Sequence, residues 1–365
     1  MFEKLTQLMD GFLSLGVPGY DCIVYKDGKE IYRHMNGYSD RENKIPVNGK
    51  EKYNIYSCSK PITCAAALQL YEKGLFRLED KLCDYLPEFT HMKVRGENGI
   101  EDAKNPITIF QLFTMTAGFS YNTGSEYIKE AQKDTSGRCP TRETMKYLAK
   151  EPLLFKPGTS WNYSFCHDVL AALVEVISKM KFEDYVKENI FIPLDMINST
   201  FRPSEKELLE IAPQYKGNGE GCSGVFLQPH TPDPNPYRLG TEYASGGAGC
   251  VSTTEDYIKF CEGMINYKVL KKETIDLMKT DFLTKAQHDA SWLAPGIGYG
   301  LGVRCAQKGY PDTPTDFGWS GAAGAYQVLD TVHNLTMFYV QHVLSAPNHN
   351  SRSAVRRVLY EELFG

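Results

Sequence analysis

The spacing of hydrophobic positions predicts a helix and then a hairpin at the start of the chain. The first apolar residues recur at helical spacing, on one face of a helix: Phe2, Leu5, Leu8, Met9, Phe12 and Leu13. Two extended runs, DCIVYK and EIYRHMNGY, then flank Asp27-Gly28-Lys29. A turn signal between two such runs is typical of a β-hairpin, which we place at residues 20–38.

The next segment predicts a helix that is buried on nearly all sides. It begins near Ser57, has Pro61 in its first turn, where the missing N–H costs nothing, and ends at Gly74. Few polar residues interrupt the run from Ile62 to Tyr71. Such a helix belongs in a protein core.

The rest of the chain divides into a helical middle and a second sheet-forming part. Periodic segments predict helices at 107–115, 141–150, 168–177, 182–190, 257–265 and 351–364. Residues 211–240 are rich in Pro, Gly and Asn and predict a loop that carries pocket walls. Two strands are predicted at 325–330 and 335–342. The alternating glycines of IGYGLGVRC predict a strand with Gly296, Gly298, Gly300 and Gly302 on one face.

Composition and charge exclude several classes of protein. A chain of 365 residues can bury a large core, and its net charge of −5 argues against nucleic-acid or anionic-membrane partners. No run of eighteen apolar residues predicts a membrane span, and the N-terminus does not read as a signal peptide. The ten cysteines are spread out, as in reduced cytoplasmic proteins, so we expect a cytoplasmic location. No zinc-type spacing occurs, and we expect neither a metal nor a cofactor.

Ser57 and Lys60 are the first candidates for chemistry. On a helix, side chains three apart share a face and lie within contact distance. A buried lysine has a lowered pKa and can then accept the proton of a neighbouring serine hydroxyl. The alternative is a helix cap at Ser57 with Lys60 extended to solvent. The segment alone leaves both interpretations open.

Two later stretches add candidates. Tyr163 lies in FKPGTSWNYS, just before an apolar helix, where its hydroxyl could face a cleft as a base. The alternative is a packing tyrosine, the commoner role among 23 tyrosines. In GWSGAAG, Gly318-x-Ser320-Gly321-Ala322 misses the G-x-S-x-G nucleophile motif, because the second glycine is absent and a strand follows. We therefore reject Ser320 as the nucleophile.

Six motifs in order resemble one family, the serine β-lactamases and penicillin-binding proteins, and within it the class C-like branch that includes family VIII-type esterases. The motifs are Ser57-x-x-Lys60, KGLFRLEDKLCDYLPEF at 73–89, ITIFQLFTMTAGF at 107–119, FKPGTSWNYS at 155–164, GGAGCVSTTEDY at 246–257 and GWSGAAG at 318–324. Each motif is weak alone, but six with compatible spacing over nearly the whole chain are specific.

The resemblance implies a role for each matching position. Ser57 would be acylated, Lys60 would activate it, and Tyr163 would be a partner base that also serves deacylation. The backbone N–H groups of Ser57 and Ala322 would form the oxyanion hole. The residues expected to line the substrate pocket are Trp319, Ser320, Gly321, Tyr121 and Phe165.

The sequence departs from the family pattern at two positions. The usual Tyr-x-Asn is Tyr163-Ser164-Phe165 here, so the amide that contacts an acylamino side chain is missing. Trp319 replaces the lysine of the Lys-Thr/Ser-Gly motif, and that cation normally pairs with a substrate carboxylate. Both departures favour neutral ester substrates.

The resemblance also implies a fold. We expect an α+β protein of the β-lactamase/transpeptidase type, in which residues 1–80 and 230–365 form a lobe with an antiparallel sheet flanked by helices. Residues 81–229 would form a mainly helical lobe, with the active site between the two.

The expected function is a serine hydrolase that forms an acyl-enzyme at Ser57 and acts as a carboxylesterase on small neutral esters. The alternatives are a β-lactamase, D-amino-acid peptidase or amidase of the same family, or a non-catalytic binding or scaffold relative. The expected partner is a small-molecule ester or amide, and the oligomeric state stays open.

Overall fold

A computed structural model describes residues 2–221, 224–227, 233–311, 314–349 and 352–365. Its α-helices are α1 (Glu3–Ser14), α2 (Ser59–Glu72), α3 (Ile109–Phe113), α4 (Glu126–Asp134), α5 (Thr141–Leu148), α6 (Cys166–Ser178), α7 (Phe182–Val186), α8 (Glu205–Leu209), α9 (Thr254–Ile265), α10 (Lys272–Met278), α11 (Lys285–Ala290) and α12 (Arg352–Phe364). Short 3₁₀ turns lie at Tyr56–Cys58, Leu82–Asp84 and Pro87–Phe89, and a π-helical turn at Lys187–Phe191.

The strands are short outside one central sheet. They are β1 (Gly19–Lys26), β2 (Lys29–Asp40), β3 (Ile45–Pro46), β4 (Tyr53–Asn54), β5 (Lys93–Gly96), β6 (Gly99–Asp102), β7 (Tyr215–Gly217), β8 (Val225–Leu227), β9 (Val251–Ser252), β10 (Ile297–Tyr299), β11 (Arg304–Ala306), β12 (Tyr326–Asp330), β13 (Leu335–Val340) and β14 (Val343–Leu344). Five of them form an antiparallel sheet in the order β12-β13-β1-β2-β3.

The hairpin predicted at the start of the chain is the middle of this sheet. Asp27 and Gly28 both have positive φ, 53° and 72°, as a two-residue hairpin turn that matches the strand twist requires. Strand β1 then pairs with β13 on its other side, and Ile23 stands opposite Phe338. The sheet therefore joins the beginning and the end of the chain.

Successive residues of the central strands enter two different cores. Cys22 and Val24 of β1 pack with residues of the two terminal helices, such as Leu5 of α1 and Leu359 of α12. Ile23, between them, packs into the larger core that includes α2 and α6. This alternation is the two-residue period of a strand, and it places the sheet between the terminal helices and the central helices.

The middle of the chain is mainly helical. Helix α2, buried on nearly all sides as predicted, packs against α6 at the centre of the larger core. The hairpin β5–β6 is an exception, and the sequence analysis did not predict it. One buried core runs from the sheet through these helices, and the division into two lobes at residues 81–229 stays a prediction.

Two predictions about local structure are wrong. The four alternating glycines do not share one strand face, because β10 covers only Ile297–Tyr299 and the backbone turns at Gly296 and Gly302, which have φ of 83° and 82°. Residues 211–240 are not only loop, because β7 and β8 pair there and β14 joins them. Three-residue strands are too short to leave a periodic signal in sequence.

The predicted fold class agrees with this architecture of an antiparallel sheet flanked by helices. Within the described residues, no helix has the length and apolarity needed to cross a membrane. Their histidine, cysteine and acidic side chains form no group of three that could hold a metal. The cysteines among them form no disulfide.

Candidate active site

Ser57 lies in a 3₁₀ turn that enters α2. Strand β4 pairs with β9, and the chain then turns through Tyr56, whose φ of 48° is left-handed. The Tyr257 hydroxyl of α9 holds this turn by donating to the Cys58 carbonyl oxygen at 2.7 Å. Helix α2 begins at Ser59, and its N-cap residue is Cys58, which makes no side-chain cap bond. Ser57 is therefore not a helix cap, and the capping alternative is excluded.

Lys60 is fully buried beneath Ser57. Its Nζ lies 3.3 Å from Ser57 Oγ, 3.3 Å from the Tyr121 hydroxyl and 2.7 Å from the Gly247 carbonyl oxygen. Burial lowers the pKa of Lys60 to about 7, although the Asp168 carboxylate opposes this shift. The alternative in which Lys60 extends to solvent is excluded. A lysine in this state is partly neutral near pH 7 and can accept a proton.

Tyr163 completes a three-residue group around the serine hydroxyl. Its own hydroxyl contacts Ser57 and accepts a hydrogen bond from Trp319 Nε1 at 3.0 Å. Lys60 Nζ lies 4.3 Å from the centroid of the Tyr163 ring. Burial raises the pKa of Tyr163, and the hydrogen bonds with Ser57 and Trp319 oppose that rise. Tyr163 therefore rests as a phenol, with a proton to donate, beside a lysine that can be neutral.

A buried carboxylate lies behind Lys60. Asp168, in the first turn of α6, accepts hydrogen bonds through Oδ1 from Ser245 Oγ at 2.7 Å and from the Tyr243 hydroxyl at 3.1 Å. A Cβ on Gly247 would stand 2.6 Å from Asp168 Oδ2 and 3.4 Å from Lys60 Nζ. Glycine is therefore required at 247, because any side chain would enter the space between this carboxylate and the lysine.

The group opens into a cavity of about 690 Å³, a size suited to a small organic molecule. It is lined by Ser57, Tyr163, Tyr237, Trp292, Leu293, Ala294, Pro295, Ile297, Arg304, Trp319, Ser320, Gly321, Ala322, Tyr326, His349, Ser353 and Arg356. The walls differ in character. The segment from Trp292 to Ile297 is apolar, and Trp292 itself is 65% exposed. Arg304 and Arg356 supply positive charge elsewhere in the lining.

The structure brings most of the predicted site residues together. Ser57 and Tyr163 line the cavity, and Lys60 is directly beneath them. The residues expected around the oxyanion hole and the pocket, Trp319, Ser320, Gly321 and Ala322, also line it. Their catalytic and binding roles stay predictions, whereas their proximity is a feature of the fold.

Two predicted pocket residues lie elsewhere. Phe165 is fully buried, and its ring packs against Tyr121 at 4.9 Å between centroids, so its assignment to the pocket is corrected. It lies at the start of α6, on the side that faces the core. Tyr121 contacts Lys60 from behind and is not part of the cavity lining.

Sequence reasoning missed several residues of the site. Trp292 and its apolar neighbours form an exposed run after a short helix, and that run is a signal that could have been followed. Asp168 entered the sequence analysis only as the first residue of the helix predicted at 168–177. Arg304 and Arg356 carried no local signal, because they meet only through the tertiary fold.

The chain belongs to the β-lactamase family. The sequence profile of the family described as Beta-lactamase matches residues 3–360, so the family predicted from the six motifs is confirmed. This span includes Ser57, Lys60, Tyr163 and the stretch from Trp319 to Ala322.

Individual relatives cover nearly the whole chain. Protein Rv1367c of Mycobacterium tuberculosis is 27% identical over 351 residues, which cover 89% of this chain and 86% of the relative. Esterase EstB of Burkholderia gladioli is 27% identical over 346 residues, which cover 87% and 84%. The solved structure of EstCE1, described as a hydrolase with promiscuous acyltransferase activity, superposes with a TM-score of 0.81 at 22% identity and covers 98% of both chains. That structural likeness supports the fold.

Proposed function

We propose that the protein is a serine hydrolase that forms an acyl-enzyme at Ser57 and acts as a carboxylesterase on small esters that are neutral around the reacting carbonyl. The observation that carries the proposal is the contact of Ser57 Oγ with both Lys60 Nζ, at 3.3 Å, and the Tyr163 hydroxyl. A nucleophile needs an adjacent group that can take its proton, and a lysine with a pKa of about 7 is such a group at neutral pH.

The first half of the reaction follows from these groups. Ser57 Oγ attacks the ester carbonyl carbon while its proton passes to neutral Lys60. The N–H groups of Ser57 and Ala322 stabilise the oxyanion that forms. Tyr163, resting as a phenol, donates its proton to the departing alkoxide and regains one from Lys60. An acyl-enzyme and a free alcohol result.

The second half releases the acid. Water attacks the acyl-enzyme carbonyl carbon after giving a proton to the Lys60 and Tyr163 pair. The tetrahedral intermediate then collapses, the ester bond to Ser57 Oγ breaks, and the serine regains its proton. The pair thus acts first as base and acid for the alcohol and later as base for water.

Trp319 supports ester over β-lactam or peptide substrates. It stands where related enzymes carry a lysine, and here its indole N–H is directed to the Tyr163 hydroxyl at 3.0 Å. A substrate carboxylate next to the reacting carbonyl therefore meets an indole ring instead of an ammonium group. The name of the relative EstB agrees with an esterase activity.

The test is intact-mass spectrometry after incubation with a fluorophosphonate, on the wild type and on Ser57→Ala. We expect one adduct on the wild type and none on the variant. The matched control is Ser320→Ala, a second serine of the same cavity, which should still be labelled. An unlabelled wild type would refute the acyl-enzyme mechanism, and a labelled Ser57→Ala would mean that another serine reacts.

A substrate panel then separates the alternatives. Acyl 4-nitrophenyl esters, D-amino-acid amides and a chromogenic cephalosporin are compared by kcat/KM. Turnover of the esters far above the other two supports the carboxylesterase. Labelling of Ser57 with preferred turnover of an amide or cephalosporin would support the peptidase or β-lactamase alternative. Ligand binding without any turnover, unchanged in Ser57→Ala, would support a binding protein.

A further inference from the structure

Two arginines of the cavity share a single carboxylate. Arg304 of β11 donates from Nη2 to Asp316 Oδ2 at 2.5 Å, and Arg356 of α12 donates from Nε to Asp316 Oδ1. Asp316 itself is fully buried at its side chain. Both arginines also line the cavity that contains Ser57. These residues belong to three separate segments, and the fold brings them together at this wall.

The charges in this group do not cancel. Two guanidinium groups and one carboxylate leave a net positive charge, and a buried cation is stable only when it is paired and hydrogen-bonded. Arg304 is 8% exposed, and its buried Nε has no hydrogen-bond acceptor among the described residues. Its Nη2 finds one further acceptor, the Gln327 carbonyl oxygen at 3.1 Å. Both guanidinium groups also lie over tyrosine rings, Arg304 over Tyr326 at 5.2 Å and Arg356 over Tyr360 at 4.9 Å. Among the described residues, Asp316 is the one carboxylate that forms a salt bridge with either arginine, so the two positive charges face a single negative one.

We propose that Arg304 and Arg356 form an anion subsite that binds a carboxylate carried by the ester substrate at a distance from its reacting carbonyl. The inference rests on the proposed function. The planar guanidinium group suits a carboxylate, with which it can form two parallel hydrogen bonds. His349 and Ser353 belong to the same cavity lining. The substrate class is therefore the half-esters of dicarboxylic acids and esters whose alcohol part carries a carboxylate.

The wall formed by the Trp292 segment is apolar, in contrast to the cationic wall formed by the arginines. Trp292, Leu293 and Pro295 give the cavity an apolar wall, and the arginines give it a cationic one. A molecule with an apolar part, a central ester and an acidic end matches both walls. The Trp319 indole beside the Tyr163 hydroxyl carries no charge, so the two arginines are the groups of this lining that suit the acidic end.

The test compares two matched pairs of esters. In the first pair the carboxylate is on the acyl side, and the 4-nitrophenyl monoester of glutaric acid is compared with the 4-nitrophenyl ester of glutaramic acid, its amide. In the second pair the alcohol end is changed, from 4-acetoxybenzoate to 4-acetoxybenzamide. For at least one pair we expect a higher kcat/KM for the acid than for the amide, and that pair identifies the arm that carries the carboxylate.

Arg356→Gln should remove this preference. A hydrogen bond to a charged group is worth roughly 1.5–3 kcal/mol, so we expect the acid-to-amide ratio to fall about tenfold or more. The kcat/KM of the acid should fall more than that of the amide, because only the acid loses a hydrogen bond to a charged group, and Arg356→Lys should keep part of the ratio. The control is Arg357→Gln, the next residue of the same helix, which pairs with Glu361 at 2.7 Å on the surface and makes the same change in net charge.

Two outcomes would overturn the proposal. One is a wild type that does not prefer the acid in either pair. The other is an unchanged ratio in Arg356→Gln, and a lower melting temperature of that variant would then show that the arginine pairs with Asp316 serve only to hold β11 and α12 together. Failure of the esterase proposal itself differs from both, because none of the four esters would then be hydrolysed and Ser57 would stay unlabelled.

Discussion

Replacement of Asp168 by asparagine tests whether the Asp168 carboxylate raises the pKa of Lys60. The variant keeps the shape of the side chain and keeps an oxygen that can accept from Ser245 and Tyr243. It removes the negative charge and puts an amide NH2 in the place of the second carboxylate oxygen. Burial lowers the pKa of Lys60 to about 7 even though the Asp168 carboxylate opposes the shift. Without that carboxylate the pKa of Lys60 should fall further.

The structure sets the size of this effect. Asp168 Oδ2 and Lys60 Nζ stand 2.6 and 3.4 Å from one point beside Gly247, so the two atoms are at most about 6 Å apart. At that distance two unit charges interact by about 3 kcal/mol with an effective dielectric constant of about 20. That energy corresponds to about two pKa units. Lys60 can lose its proton in the variant, which avoids the larger penalty of an unpaired buried charge.

The assay is the pH dependence of kcat/KM for a neutral ester. If neutral Lys60 is the base, activity in the wild type rises with pH through a pKa of about 7. In Asp168→Asn this acid limb should move down by one to two pH units, an estimate that follows from the charge interaction above.

The control is Glu175→Gln, which makes the same change from carboxylate to amide on the same helix. The Glu175 carboxylate is also buried, but it accepts a hydrogen bond from the Phe182 N–H. Its acid limb should stay in place. An acid limb that does not move in Asp168→Asn would refute the reasoning, because Asp168 would then carry no charge at neutral pH or the limb would belong to another group.

Two further predictions concern the same site, and a third concerns packing against α2. Trp319→Phe removes the N–H that donates to the Tyr163 hydroxyl but keeps an aromatic ring, and it should lower kcat about tenfold or more. The control is Trp292→Phe in the same cavity, which should change kcat little. Equal losses of kcat in the two variants would contradict a role for the hydrogen bond. Lys60→Met should abolish turnover yet raise the melting temperature at neutral pH. The folded-state pKa of Lys60 is about 7 against a usual 10.5, so the unfolded chain binds the proton more tightly and stability falls as pH drops from 10.5 toward 7. At pH 7 the lowered pKa of Lys60 costs the folded protein about 4 kcal/mol of stability. Lys60→Met should recover this amount, less the contribution of the hydrogen bond to the Gly247 carbonyl oxygen, and the stabilisation should disappear in alkaline buffer. Gly302→Ala would place a Cβ 2.1 Å from Cys64 Sγ and should destabilise the protein well beyond Gly309→Ala, which has a similar positive φ but open space around it; similar melting temperatures would refute the packing argument.

The parts of the fold that were predicted correctly have local causes. The Asp27-Gly28 turn fixes its hairpin through positive φ angles that few residues tolerate. The helix after Ser57 follows from an uninterrupted apolar run and a glycine at its end. The pairing of β13 with β1 could not be predicted from the sequence, because it joins residues more than 300 positions apart.

In the site, too, contacts between residues close in the chain were predicted correctly, whereas some contacts between distant segments were not. Ser57 and Lys60 are three residues apart, so one turn of chain is enough to bring them together. Tyr163 and Trp319 were found through motifs. Phe165 was misplaced because a motif gives a position in the chain and not the direction of a side chain. The contact of two arginines with Asp316 depends on the packing of three separate segments, and no periodicity in the sequence reports it.

The left-handed backbone of Tyr56 has a consequence for how the protein responds to heat. A tyrosine at this φ costs about 1–3 kcal/mol, and the conformation persists because its ring is buried and its hydroxyl donates to Gln214 at 2.7 Å. The peptide that joins Tyr56 to Ser57 carries the Ser57 N–H, one of the two proposed oxyanion donors, so the orientation of this N–H depends on how Tyr56 is held. Gln214 directly precedes the three-residue strand β7, which pairs with β14 and β8 outside the five-stranded sheet. Loss of that attachment would release the strain and turn the donor away while the rest of the molecule stays folded. Thermal inactivation should therefore be a local event, with ester turnover lost several degrees before the helical circular-dichroism signal, and coincidence of the two transitions would show that the hold on Tyr56 survives until global unfolding.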